Sequence, residues 1–161
     1  MKASELINIG SNKLKTNSIK SFILDSEILL SKVLNKKREE VLVDLNQKIE
    51  NNKILEFLKY IDRRALKEPI AYIIQQKEFW SKNFEVNNKT LIPRPETELM
   101  LEKLINIYKK KSINILDIGT GSGCIILSLL SELKRSKGTG IDISFGALQI
   151  AKKNAKKLNI L

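Results

Sequence analysis

The chain has 161 residues, enough for one ordinary domain or two small ones, and its 42% hydrophobic and 29% charged content fits a globular fold rather than disorder. The net charge of +11 would suit an anionic partner, but Lys outnumbers Arg 24 to 5 and the basic residues are spread along the chain, which argues against a dedicated nucleic-acid face. There is no histidine and a single cysteine, Cys124, which excludes Ser-His-Asp and Cys-His catalysis, a histidine-ligated zinc site and an internal disulfide.

From the start, MKASELINIG has no continuous apolar core followed by a small-residue cleavage site, so no secretory signal is expected. No run further on approaches the ~20 apolar residues that span a bilayer. The first 67 residues read as helical. SFILDSEILLSKVL (21–34) places Phe22, Ile23, Ile28, Leu29, Leu30, Val33 and Leu34 near a helical stripe. KILEFLKYIDRRALK (53–67) repeats the pattern with Ile54, Leu55, Leu58, Ile61 and Leu66, and REEVLVDLNQKI between them supplies a shorter helix or turn. Together they predict a small helical bundle over residues 1–70.

Pro69 marks a change. Tyr72, Ile73, Ile74, Phe79, Trp80, Phe84 and Val86 enrich the next stretch in aromatic and β-branched residues, and FWSKNFEV predicts a hairpin with its turn at SKN, inside a connecting segment 71–92. LIPRPETELMLEKLINIYKKK then opens a helix. Thr97 is the expected N-cap, Glu98 lies in the first turn, and Leu99, Met100, Leu104, Ile105 and Tyr108 form the expected buried face. Lys109, Lys110 and Lys111 fall at its C-terminus, where positive charge is favoured.

The remainder alternates strand and helix. INILDI predicts a buried strand, CIILSLLSEL an amphipathic helix, TGIDI a second strand and SFGALQIAKKNAKKL a second helix, which is the pattern of βαβ units in a parallel sheet. The fold class is therefore α/β, with a helical N-terminal domain ahead of a Rossmann-like region over 93–161.

Between the first strand and its helix stands Asp117-Ile-Gly119-Thr120-Gly121-Ser122-Gly123. A phosphate loop of the Walker kind is excluded, because no Lys-Ser or Lys-Thr follows the glycines. A dinucleotide fingerprint needs its third small residue at position 124, where Cys124 sits, although a strand–loop–helix context and an acid about 20 residues on are both present. The favoured reading is the DxGxGxG loop of class I S-adenosylmethionine methyltransferases. Its glycines let the backbone pass under the methionine part and the ribose, with no Cβ in the way. Asp117 would accept from the ammonium group or fix the loop. Asp142, at the end of the second strand, would present two carboxylate oxygens to the two ribose hydroxyls. Taken alone, Asp142 would equally suit a helix N-cap. Cys124 reads as a small buried residue at a helix start.

EPIAYIIQQKEFWSKNFEV, LIPRPETE, ILDIGTGSGCIILSL, GIDIS and AxxNA, in that order, resemble the peptide chain release factor N(5)-glutamine methyltransferases, the HemK or PrmC family. The resemblance runs along the whole chain, and LIPRPETE with the EFW hairpin before it is its most specific part. One departure is Gln75, where the family usually carries glycine. The resemblance implies methyl transfer from S-adenosylmethionine to the glutamine of the Gly-Gly-Gln motif in translation release factors. It implies a cofactor site at Asp117, Gly119, Thr120, Gly121, Ser122, Gly123 and Asp142, with Pro93, Arg94, Pro95, Glu96 and Thr97 over the pocket. It assigns the helical domain to gripping the release factor. A cytoplasmic monomer with no membrane or metal involvement is expected.

The family holds the target amide with an Asn-Pro-Pro-Tyr motif, and these 161 residues contain none. No catalytic residue is therefore assigned, and the expected fold is an incomplete methyltransferase domain that ends after its second helix, with one edge of the central strand and its apolar side chains exposed. Two alternatives stand beside the protein methyltransferase: an adenine amino-methyltransferase of the same fold acting on nucleic acid, and a non-catalytic truncated remnant.

Overall fold

In the computed structural model, which describes residues 1–160, the regular structure before Gln75 is helical: α1 (Ala3–Thr16), α2 (Phe22–Leu34), α3 (Arg38–Val43), α4 (Asn51–Ala65) and the single turn α5 (Ile70–Ile73). The amphipathic stripes of α1, α2 and α4 meet in a core of Leu6, Leu14, Leu29, Leu30, Val33, Phe57 and Ile61, all essentially buried. Burying each such side chain contributes roughly 1.5–3 kcal/mol. The helices approach so closely at Gly10 that a Cβ there would sit 2.3 Å from Ser26 Oγ and 2.8 Å from the Phe57 ring. Asn35 ends α2 in the left-handed conformation, with the Lys36 N–H returning to the Ser31 carbonyl at 3.1 Å. Ile70, Ile73 and Ile74 pack on this same core, so the first compact unit runs Met1–Ile74, and the aromatic and β-branched stretch turns extended only after it. Leu55 and Leu66, placed on the predicted stripe, are exposed, whereas Phe57 is buried. Phe57 and Ile61 lie four residues apart on one side of α4, and Leu55 lies two residues off that line.

The second unit begins at Gln75. Strands β1 (Gln76–Phe79) and β2 (Lys82–Glu85) pair antiparallel, with Phe79 opposite Lys82. The hairpin tip is therefore Trp80-Ser81 rather than SKN. Both residues have positive φ (51° and 53°), the twist that a two-residue hairpin turn demands, so Lys82 and Asn83 are left to the strand. Helix α6 (Glu96–Tyr108) starts one residue before the expected N-cap Thr97. Pro95 already has helical dihedrals, and its carbonyl accepts from the Glu98 N–H at 3.0 Å. The buried side of α6 is Leu101 with Leu104, Ile105 and Tyr108, spaced by three, one and three residues. Leu99 (63% exposed) and Met100 lie off that line, contrary to expectation.

Strand β3 (Asn114–Ile118), helix α7 (Cys124–Glu132), strand β4 (Lys137–Ile141) and helix α8 (Phe145–Lys157) complete the unit. β3 and β4 are parallel, with Ile115 beside Gly138 and Ile118 beside Ile141. Helix α7 lies over the Gly138 face, where a Cβ would meet Ile126 at 2.8 Å. The strand, read as buried, is covered on one face only, and apolar side chains are left exposed as the incomplete sheet implied. Leu116 and Ile118 point to the other face, which α7 does not cover, and are 59% and 76% exposed. The core of this unit is Phe79, Phe84, Leu101, Ile126, Leu127, Leu129 and Leu133, with the Phe79 and Phe84 rings meeting edge-on at 6.2 Å. Among the described residues, no helix is long and apolar enough to cross a membrane, and no group of His, Cys, Asp or Glu could hold a metal ion. The fold is a helical region followed by a partial Rossmann-like α/β unit.

Candidate functional site

A parallel strand pair feeds its carboxyl ends into loops that converge, and ligands of such sheets bind outside those ends. Here the converging pieces are Gly119–Gly123 after β3 and Asp142–Ser144 after β4. The three glycines have φ of +79°, +56° and +78°, a region that costs any residue with a Cβ roughly 1–2 kcal/mol. The backbone above Gly119 is open: a Cβ placed there would meet nothing within 4 Å, and one on Gly121 would find only the Gly119 carbonyl at 3.9 Å. Gly123 differs, since its Cβ would press on Leu127 at 3.0 Å and Ala151 at 3.3 Å. It is needed for packing as well as for its turn.

A network of hydrogen bonds holds the loop. Gly119 and Thr120 both donate to the Ile141 carbonyl, at 2.8 and 2.9 Å, which carries the β3–β4 pairing into the loop. Thr120 Oγ1 donates to Asp117 Oδ2 at 2.8 Å, so Asp117 makes a loop-fixing contact. The Gly123 N–H closes the turn on the Thr120 carbonyl at 2.8 Å. Asp142 takes one N–H on each carboxylate oxygen, from Gly121 and from Ser144, both at 2.8 Å. These N–H groups, Ser144 first and Gly121 next, hold its carboxyl below the usual range. Asp142 is not the N-cap of α8. Ser144 fills that position, and its hydroxyl accepts from the Ala147 N–H at 3.2 Å. Cys124 opens α7 with its thiol pushed up by burial, against a hydrogen bond with Ser122 that lowers it, and, less, by the Asp117 carboxylate, which favours the neutral thiol.

Asp117, Gly119, Thr120, Gly121, Ser122, Gly123 and Asp142 are thus brought together. Pro93 is buried, and Arg94, Pro95, Glu96 and Thr97 form the entry to α6, where the Thr97 N–H donates to the Arg94 carbonyl at 3.1 Å. The next residue on, Glu98, accepts from the Trp80 N–H at 2.9 Å, tying the helix start to the hairpin tip. Among the described residues no hydrogen bond or ion pair joins 93–97 to 119–123. Sequence reasoning did not single out Asn154 for the loop. It falls on the buried stripe of α8 with Ala147 and Ile150, and a lone amide on an apolar stripe is the signal that would have found it.

Two regions of the chain match described families: residues 5–74 match the PrmC N-terminal domain, and residues 109–160 match a methyltransferase domain. A release factor glutamine methyltransferase of Buchnera aphidicola subsp. Schizaphis graminum is 44% identical over 136 residues, which cover 84% of this chain and 50% of that protein. One from Buchnera aphidicola subsp. Baizongia pistaciae is 44% identical over 162 residues, covering 99% of this chain and 58% of that protein. A bifunctional methyltransferase of Rickettsia prowazekii is 37% identical over 175 residues, with 97% of this chain and 34% of that protein covered. The chain thus spans about half the length, or less, of the curated relatives it matches. By its two matched regions and by these relatives, the chain is similar, over part of their length, to release factor glutamine methyltransferases.

Proposed function

We propose that residues 75–160 carry the S-adenosylmethionine site of a protein methyltransferase acting on the Gly-Gly-Gln glutamine of translation release factors in the cytoplasm, with the helical unit engaging the release factor. The carrying observation is the open glycine loop with Asp142 beside it. Gly119 and Gly121 leave room for a ligand against bare backbone, and the Asp142 carboxylate is fixed beside them at the Gly121 N–H. Each carboxylate oxygen has spent one acceptor direction on the backbone and has a second left for a hydroxyl. These free acceptor directions fit the ribose diol expected of the cofactor.

The bound cofactor supplies an electrophilic methyl group on a sulfonium centre. Asp142 would orient it by accepting from the diol, and its lowered pKa keeps it an acceptor throughout the neutral range. Asp117, with Thr120 as its partner, keeps the loop in register with β3. Pro93 to Thr97 would cover the pocket. An amide nitrogen is a poor nucleophile because its lone pair is delocalised, so the reaction needs the amide held in line with the methyl group. The Asn-Pro-Pro-Tyr motif that would do this is not among these 161 residues.

Titration of the labelled chain with millimolar S-adenosylmethionine, followed by amide NMR, tests the reading. Shifts concentrated at Gly119, Gly121 and Asp142–Ser144 are expected. Their absence would sink it.

A further inference from the structure

Asn154 is 1% exposed, and both polar atoms of its amide are hydrogen-bonded. Nδ2 donates to the Ser122 carbonyl at 2.9 Å and to the Glu85 carbonyl at 3.0 Å, while Oδ1 accepts from the Glu85 N–H at 2.7 Å. One side chain on α8 therefore grips both main-chain groups of the last residue of β2, as a neighbouring strand would, and a carbonyl of the glycine loop. A buried amide is costly unless all its bonds are made, and an apolar residue would fill this place on the stripe more cheaply.

What it holds in the loop has a defined consequence. The Ser122 carbonyl and the Gly123 N–H belong to one planar peptide unit, so fixing the first aims the second. The Gly123 N–H is the group that closes the loop on Thr120, and Thr120 in turn is held by Asp117 and the Ile141 carbonyl. We infer that Asn154 is a positioning residue for the glycine loop: it sets the Ser122–Gly123 peptide plane and locks the hairpin strand β2 to the loop, so that the two keep one geometry. The inference rests on the cofactor reading for its use, but its geometry can be measured without any ligand.

The test compares Asn154→Leu and Asn154→Asp with the wild-type chain by amide hydrogen exchange. The first removes all three bonds, and the second turns a carboxylate toward two carbonyls. Exchange at Gly121 and Gly123 should rise on the order of tenfold while the β3–β4 ladder amides stay within about twofold. The S-adenosylmethionine concentration that half-saturates the shifts at Gly119 and Gly121 should rise by a similar factor. Lys153→Ala, which removes only the exposed ion pair to Glu85 at 3.1 Å, should leave both unchanged. Unchanged loop exchange, or an equal rise in loop and ladder, would overturn the proposal. Should the wild-type chain show no ligand-induced shift, the cofactor reading fails, and the exchange data still decide whether Asn154 positions the loop. Asn154→Ser, with a short donor and acceptor, is read the same way where the larger changes prevent folding.

Discussion

Gly121 donates its N–H to Asp142 Oδ2 at 2.8 Å, which joins the loop after β3 to the end of β4. The bond comes from a residue that needs positive φ and ends on a carboxylate that also anchors the Ser144 N–H. Asp142→Ala removes both bonds at once. The expected result is a loss of about 1–2 kcal/mol in stability, since hydrogen bonds to charged groups exceed neutral ones. Ligand-induced shifts at Gly119 and Gly121 should disappear with it. Chemical denaturation and NMR titration of the variant check the two parts separately.

The same carboxylate makes part of the stability depend on pH. Its folded pKa lies below the ordinary value, because the Ser144 and Gly121 N–H groups favour the charged form. The stabilisation is therefore complete above the unfolded pKa of about 3.9 and is lost as pH falls through the lower folded value. The difference in melting temperature between the wild-type chain and Asp142→Asn should stay constant from neutral pH down to about 5 and shrink below about 4. Glu68, also lowered by its bond to Arg63, titrates in both proteins and cancels in the comparison. A difference that grew toward low pH would contradict the assignment.

Gln75 stands where the resembled family usually has glycine, and its φ is +56°. The left-handed turn is kept, and its strain falls on a residue that carries a Cβ. The Gln75 carbonyl accepts from the Val86 N–H at 3.3 Å beyond the ladder's end. Gln75→Gly relieves a left-handed cost of roughly 1–2 kcal/mol and adds roughly 0.5–1 kcal/mol of unfolded-state entropy. A net gain of about 0.5 kcal/mol is expected in urea unfolding, with Gln75→Ala giving none.

These residues also show what a one-dimensional reading can and cannot see. β3, the glycine loop, α7, β4 and α8 were legible because each rests on local signals: apolar runs, glycines at alternate positions and Asp142 after a strand. The hairpin was legible, but its tip was not. Trp80-Ser81 carries no Asn-Gly signal, and only pairing Phe79 with Lys82 puts these two residues in left-handed conformations. The start of α6 moved because Pro95 is already helical, a property that its type permits but does not announce. Asn154 could be noticed as a lone amide on an apolar stripe, but its partners could not be read, since they lie 32 and 69 residues away.

In the helical unit, Arg64 Nε meets Asp25 Oδ2 at 2.6 Å with the two side chains 17% and 7% exposed. The pair links the first turn of α2 to the end of α4. Removing one partner strands a buried charge. Arg64→Leu should cost about 3 kcal/mol, and Asp25→Asn with Arg64→Leu should recover much of it, because the desolvated carboxylate is then gone. Urea unfolding of the single and double variants measures the recovery. A double variant as unstable as the single would show that packing, rather than the unpaired charge, sets the cost.

Leu116, Ile118 and Ile141 share the sheet face opposite α7, and Ile143 and Phe145 (72% exposed) follow just beyond β4. Parallel sheets are covered on both faces in known folds, so a bare apolar face of this kind is a source of association rather than an ordinary surface. The three strand residues gain little from burial here, and replacing them should cost little. Leu116→Thr, Ile118→Thr and Ile141→Thr together keep side chains suited to a strand, should lower the binding of a hydrophobic dye by more than about half, and should shift the melting temperature by no more than about 3 °C. Residues 113–161 produced alone should be poorly soluble for the same reason, and the triple change should raise their soluble yield. A large fall in melting temperature would mean that these side chains are packed in solution. A sharp cooperative transition with dispersed amide signals in the unmodified 113–161 segment would mean that the face is not a liability.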